Sequence, residues 1–279
     1  MCLICEEHMA RAWYLDPRSH QTRGGLAGAF DNWVDTIMYP RIVVPGLEVI
    51  KKRQPYGTER YGRVSSFFMS WLTKSLHGFQ VVPCTDWAEQ AIDLATDVVL
   101  SICSCRKVFA GPNEPLAWKC IGLGNAARVT RDTSVQPFRD ISKAEAKDIV
   151  AAQRKAGCFI SIGWRRGSYA NWMCNCDQWC GSHRTPELPL GMVPSLFVSK
   201  VVAERCDGCG ICGQVCHRKF AITFSRPSGL ASIDPGWCLG CGLCLERCPK
   251  KAIMFAPRDV YFDMRAGGLV QAPAGATSV

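Results

Sequence analysis

Cys206-Asp207-Gly208-Cys209-Gly210-Ile211-Cys212-Gly213-Gln214-Val215-Cys216 is echoed 32 residues later by Cys238-Leu239-Gly240-Cys241-Gly242-Leu243-Cys244-Leu245-Glu246-Arg247-Cys248-Pro249. Both runs read C-x2-C-x2-C-x3-C. At that spacing three thiolates converge from one tight loop, and the x2 steps wrap the backbone around a cubane iron–sulfur core with its amides facing the sulfurs. Gly208, Gly210, Gly240 and Gly242 let the chain turn that sharply without a Cβ clash. The fourth cysteine of each run is expected to start the following helix and point away from its own loop, toward the neighbouring cluster. A pair of zinc sites is the competing occupant, but zinc ribbons lack the third x2 cysteine and the crossed fourth ligand.

These residues resemble the bacterial-type ferredoxins with two 4Fe-4S clusters, over about residues 197–257. The resemblance implies that one cluster takes Cys206, Cys209, Cys212 and Cys248, and the other Cys238, Cys241, Cys244 and Cys216. It also implies a ferredoxin-like dicluster domain with pseudo-twofold symmetry. Around Arg226-Pro227-Ser228-Gly229, residues 221–224 and 230–234 read as short β segments. The sequence departs from the family in two places. His217 stands where proline usually follows the fourth cysteine, and it is expected to face solvent, a tuning role for the nearby cluster being the alternative. The stretch from Cys216 to Ala221-Ile222 is also one residue longer than that from Cys248 to Ala252-Ile253, so the helix after Cys216 is expected to start differently.

Residues 1–196 read as a mixed α/β domain and residues 258–279 as a C-terminal tail, flexible from Ala266, which makes the whole chain α+β. Asp86 and Glu89 form a capping-box-like start to a helix over 87–95, which leads into a strand over 97–102. Ser142 and Glu145 form a second box, the helix over 143–156 stops at Gly157, and residues 158–163 follow as a strand. Helices feeding strands argue for a small α/β or α+β domain whose strand-end loops carry the chemistry.

Six cysteines fall at such ends: Cys103 and Cys105, then Cys120, then Cys174, Cys176 and Cys180. A C-x-C pair puts two sulfurs on one side of an extended segment, and two pairs offer four thiolates to one metal centre. The pattern C-x-C-R, then C-N-C-D and a later cysteine, resembles long ferredoxin-like iron–sulfur proteins of anaerobes, extending the resemblance to about residues 87–257. The site reads as a third iron–sulfur cluster, with structural zinc, reactive thiols or plain buried cysteines as alternatives and the ligand subset open. Arg106 and Asp177 are either partners of the sulfurs and backbone or exposed salt-bridging residues.

Elsewhere the signals are weaker. Cys2, Cys5 and His8 would spread around more than one helix face, so a metal set there is disfavoured. Cys84 and Cys158 read as small core hydrophobes. Val64, Phe67, Phe68, Trp71, Leu72 and Leu76 follow helical spacing and read as a core-packing amphipathic helix between Arg60 and Phe79. Gly24, Gly25 and Gly28 lack a preceding strand and the full dinucleotide spacing, so no nucleotide is assigned.

Composition bounds the function. Cysteine makes up 18 of 279 residues, far more than core packing needs in a chain able to bury a sizeable core. No leader-like N-terminal segment and no apolar run long enough for a membrane span is present, so a cytoplasmic location is expected, where dense cysteines hold metal rather than disulfides. The formal charge of +9 first suggests an acidic partner. Two oxidised clusters would bring it to about +5 and a third to about +3, which makes the basic excess a counter-charge and removes the case for nucleic acid. His8, His20, His77, His183 and His217 are scattered and form no acid–base set. The expectation is an iron–sulfur electron-transfer protein of anaerobic metabolism, a one-electron relay docking on a redox partner protein or serving as an oxidoreductase subunit. The alternatives are a reductase whose N-terminal cluster is the catalytic centre, and a zinc-stabilised interaction domain fused to a ferredoxin.

Overall fold

The computed structural model describes residues 12–21, 24–34, 36–37, 41, 44–45, 48, 77–110, 118–134, 136–165, 169–180, 192–218, 220–263 and 268–271. Cys2, Cys5, His8, His183 and the helical spacing of Val64–Leu76 lie outside the described residues. Gly25 and Gly28 sit in a helix, α1 (Gly25–Trp33).

Seven strands make the main sheet: β1 (His77–Val82), β2 (Val98–Ile102), β3 (Trp118–Leu123), β4 (Phe138–Asp140), β5 (Phe159–Arg165), β6 (Tyr169–Cys176) and β7 (Met192–Val193). Their order is β4-β2-β3-β6-β5-β1-β7. Every neighbouring pair is antiparallel except β1 with β7. Helix–strand alternation here therefore does not build a parallel α/β sheet: α3 (Ser104–Phe109) joins the antiparallel neighbours β2 and β3, while α2 (Thr85–Leu94), α4 (Asn125–Thr133) and α5 (Lys143–Lys155) each join strands that run the same way but are not neighbours in the sheet.

Strand alternation gives the sheet two different faces. Val82, Leu100, Ile121, Ile160, Ile162 and Trp164 join Trp87, Ile92 and Val150 of the helices in the larger core. Val81, Phe159, Cys174 and Cys176 belong to the opposite side. Ser142 caps α5 by accepting from the Glu145 amide, as the sequence indicates. The start of α2 differs from expectation: Cys84, in extended conformation, is its N-cap and the helix begins at Thr85, so Asp86 sits in the first turn without capping.

Beyond the sheet, β8 (Phe197–Val201) pairs antiparallel with β11 (Ile253–Pro257), and β9 (Ile222–Phe224) with β10 (Ala231–Ile233). Two one-turn helices, α6 (Ile211–Val215) and α7 (Leu243–Arg247), lie between these strands. Each follows a glycine in left-handed conformation, Gly210 (φ 78°) or Gly242 (φ 77°), and ends at Cys216 or Cys248. The fourth cysteine of each run therefore closes a short helix rather than starting one, because the glycine lets the turn begin one residue before the third cysteine. Past the module, β12 (Val260–Asp263) pairs with β13 (Gly268–Gln271), so residues 268–271 form a paired strand where a flexible tail was expected.

The module packs at the β7 edge and touches both sides of the sheet. Phe197 joins the larger core, 5.7 Å from Trp87 and 5.4 Å from Phe255 by ring centroid. Leu239 and Leu243 join Val81, Phe159 and Met192 on the other side.

Candidate metal centres

The C-terminal cysteines line two cavities. One, of about 350 Å³ including space open to solvent, is bounded by Cys206, Cys209, Cys212 and Cys248. The other, of about 420 Å³ on the same measure, is bounded by Cys216, Cys238, Cys241 and Cys244. Each cavity thus draws its fourth cysteine from the other run. The surroundings suit an iron–sulfur core: the linings are mostly apolar, and backbone amides point at sulfur, Gly240 N to Cys238 Sγ and Ala252 N to Cys248 Sγ, both 3.3 Å. Burial raises the Cys216 thiol to about 11 and the Cys244 thiol to about 12, so loading must displace protons from both.

Polar contacts hold the second cavity to the sheet domain. Arg154 of α5, 5 % exposed, donates to the Glu246 carboxylate at 2.7–3.0 Å and to Cys241 O at 2.7 Å. Arg258 donates to the carbonyls of Ser195, Pro235, Phe197 and Cys238, so the residue placed at the start of a tail by sequence instead clamps the Cys238 loop. His217 is not solvent-facing as expected: its Nε2 lies 2.7 Å from Gly157 O, and burial depresses its pKa.

The six upstream cysteines meet on the sheet face opposite α2 and α5. Cys174 and Cys176 share one side of β6, as C-x-C alternation requires. Cys103 and Cys105 do not lie on an extended segment as expected; Cys103 is the N-cap of α3, accepting from Arg106 N at 3.4 Å, and Cys105 is in its first turn. Cys120 comes from β3, the neighbour of both β2 and β6, and Cys180 from the turn after β6. The six thiols form a closed set of contacts. Cys103 meets Cys105 and Cys120, Cys176 meets Cys174 and Cys180, and the links Cys105–Cys180 and Cys120–Cys174 complete the circuit.

Those contacts divide the thiols. Bonds from Cys105 and Cys120 hold Cys103 well below the usual thiol range, and bonds from Cys174 and Cys180 bring Cys176 to about 6. Cys105, Cys120 and Cys174 are raised by donating within the ring, and by burial. For Cys180 the bond with Cys105 lowers, but the bond with Cys176 and burial outweigh it. Among the described residues no group of three or more His, Cys, Asp or Glu has the geometry of a single-ion site; this includes the dicluster cysteines, so it does not separate the sites.

A buried charge set lies beside the ring. Asp177 accepts from Arg106 and, at 2.7 Å, from Lys119, which is only 1 % exposed. Lys119 Nζ is also 3.8 Å from Cys158 Sγ, and Asn175 Nδ2 donates to Lys119 O at 2.8 Å. Arg106 and Asp177 are thus partners of the backbone and of each other rather than surface charges. Sequence reasoning missed Lys119, Arg154 and Arg258. Lys119 is the one with a local signal, lying between Trp118 and Cys120 in an otherwise apolar strand. Cys84 packs beside the apolar core, as expected, whereas Cys158, though buried, has polar partners, donating to Gln153 Oε1 at 3.3 Å and accepting from Lys119.

A family model for the 4Fe-4S dicluster domain matches residues 205–252. No curated protein matches the chain. The C-terminal part therefore carries a 4Fe-4S dicluster domain, and the chain is an iron–sulfur protein in that region. Among the described residues no helix is long and apolar enough to cross a membrane.

Proposed function

We propose that the protein is a one-electron carrier that works with a redox partner protein or as a subunit of a larger oxidoreductase. In this reading one 4Fe-4S cluster is held by Cys206, Cys209, Cys212 and Cys248, and the other by Cys238, Cys241, Cys244 and Cys216. The six upstream cysteines hold a third iron–sulfur centre. The matching left-handed glycines Gly210 and Gly242, each opening a one-turn helix, support pseudo-twofold symmetry of the module. When bound, the clusters accept and release single electrons at potentials set by burial and by hydrogen bonds to sulfur.

The observation that carries the reading is a continuous apolar contact between the two regions. Val81, Phe159, Met192, Leu239 and Leu243 pack with Cys174, Cys176 and Cys180 at one end and Cys241 at the other. These side chains exclude water from the space between the second cavity and the thiol ring, the environment in which charge is moved with little solvent rearrangement. The first cavity lies nearer solvent, with Cys209 exposed, and is the natural side for a partner.

Anaerobic purification with iron, sulfide and zinc analysis tests the proposal. Iron well above the roughly eight atoms of two cubanes, without zinc, is the expected result. About eight irons with zinc would remove the third redox centre and leave a ferredoxin attached to a zinc-held domain.

A further inference from the structure

Each of the six upstream thiols touches two others, and the contacts close without a gap through Cys103, Cys105, Cys180, Cys176, Cys174 and Cys120. All six are buried or half-buried and none forms a disulfide. Nothing in their placement separates four ligands from two bystanders. Cys103 and Cys105 come from the start of α3, Cys120 from a central strand, and Cys174, Cys176 and Cys180 from another strand and its turn. Any four chosen as ligands leave two thiols in contact with the ligating sulfurs.

Six is more than the simple occupants use. Tetrahedral zinc takes four protein ligands, and a cubane takes four cysteines, one for each iron. What favours six is geometry: six buried or half-buried soft donors form one contact ring, matching a core with more metal positions than one zinc or one cubane. The surroundings are those of a soft metal core: the thiols bond one another, Ser161 Oγ lies 3.6 Å from Cys176 Sγ, and apolar side chains such as Phe159, Met192 and Phe109 pack around them.

We infer that the ring is a single site for an iron–sulfur core larger than a cubane, bound through all six cysteines. The inference rests on the reading of this site as an iron–sulfur centre and deepens it by fixing ligand number and nuclearity. Each cysteine gives up its thiol proton to solvent as its sulfur binds iron, and the iron and sulfide come from the assembly supply.

The test uses the full chain, loaded anaerobically with iron and sulfide. Cys103, Cys105, Cys120, Cys174, Cys176 and Cys180 are each changed to serine, and the Mössbauer spectrum and iron content beyond the dicluster contribution are measured. All six changes should alter the third-site spectrum and lower its iron by at least half, with the dicluster spectrum retained. Two silent substitutions would overturn the inference by defining a four-ligand site. Native mass spectrometry of the unsubstituted chain covers variants that do not fold. The mass beyond two cubanes should exceed that of one more cubane; a remainder of one cubane overturns the six-ligand site and leaves a third cluster standing, whereas zinc or no remainder overturns both.

Discussion

The dicluster module and the thiol ring gather cysteines by opposite means. In the module every ligand candidate lies within one of two short runs, and left-handed glycines at Gly210 and Gly242 bend each run around its own cavity. The ring draws on β3, β6 and the loop after β2, and only the sheet order β2-β3-β6 makes them neighbours. Local turns fix the first arrangement; strand register fixes the second. A one-residue slip of β6 would turn Cys174 and Cys176 to the helix face and dismantle the ring, while the module's loops would keep their shape.

The largest expected difference is electrostatic. Asp177→Asn leaves Arg106 and Lys119 buried without their carboxylate and should cost the metal-free chain about 4 kcal/mol in urea unfolding. The loaded chain should lose less, because negative charge on the ring offsets the same two cations. In the module, Asp207 faces Lys250 across 3.9 Å with both side chains well exposed, and Asp207→Asn should cost under about 1 kcal/mol. Equal losses at the two positions would contradict the charge set described beside the ring.

Next comes backbone conformation. Gly240 has φ +66° and a Cβ there would overlap Phe197 O and Ser195 Oγ, whereas Gly157 has φ +90° with open space around it. Gly240→Ala combines left-handed strain with a backbone clash and should destabilise the chain by about 3 kcal/mol, with loss of cluster absorbance. Gly157→Ala carries strain alone, about 1 kcal/mol, and should leave absorbance unchanged. Thermal unfolding followed at the cluster band separates the two.

These contrasts also explain what the sequence made legible. The module's cysteine sets could be written down because x2 spacing and glycine are local chemistry. That the six upstream cysteines come close together was readable from C-x-C pairs at strand ends. The helical geometry at Cys103 and Cys105 was not, because it depends on α3 starting directly after β2. The antiparallel sheet was hidden for a related reason: helix–strand alternation carries no record of sheet order, and the like-directed strands joined by α2, α4 and α5 are not neighbours. Lys119, Arg154 and Arg258 act through partners distant in the chain, such as Asp177, Glu246 and Pro235, and no window of sequence contains both members of any pair.

A smaller effect sharpens the boundary between the two regions. Arg154→Ala removes four bonds that tie α5 to Glu246 and Cys241 O, while Glu246, being part-exposed, can recover water. The expected cost is about 2 kcal/mol, and the unfolding of sheet and module, read by tryptophan fluorescence and cluster absorbance, should separate into two transitions. Coincident transitions would mean that the apolar contact through Phe159, Leu239 and Leu243 alone couples the regions.

The smallest effect is confined to the sheet side and to acid. His20 is buried with Nε2 2.8 Å from Tyr14 O and, among the described residues, no hydrogen-bond partner for Nδ1, so adding a proton there is unfavourable. Burial depresses its pKa below 6.5, and nearby Lys143 pushes the same way against Asp16 and the Tyr14 carbonyl. The unfolded chain takes up that proton first as pH falls. Stability linked to His20 is therefore fully present above 6.5 and is lost as pH falls from there through the depressed folded value, with a slope of at most about 1.4 kcal/mol per pH unit. His20→Gln keeps a neutral donor for Tyr14 O and removes the titration, so its unfolding midpoint, followed by the near-UV signal of Trp13 and Trp87, should fall less between pH 6.5 and 5 than that of the parent chain. An unchanged slope would assign the acid sensitivity elsewhere. Since His20 lies against the helix-side core rather than the thiol face, cluster absorbance should not register the substitution above pH 6.5.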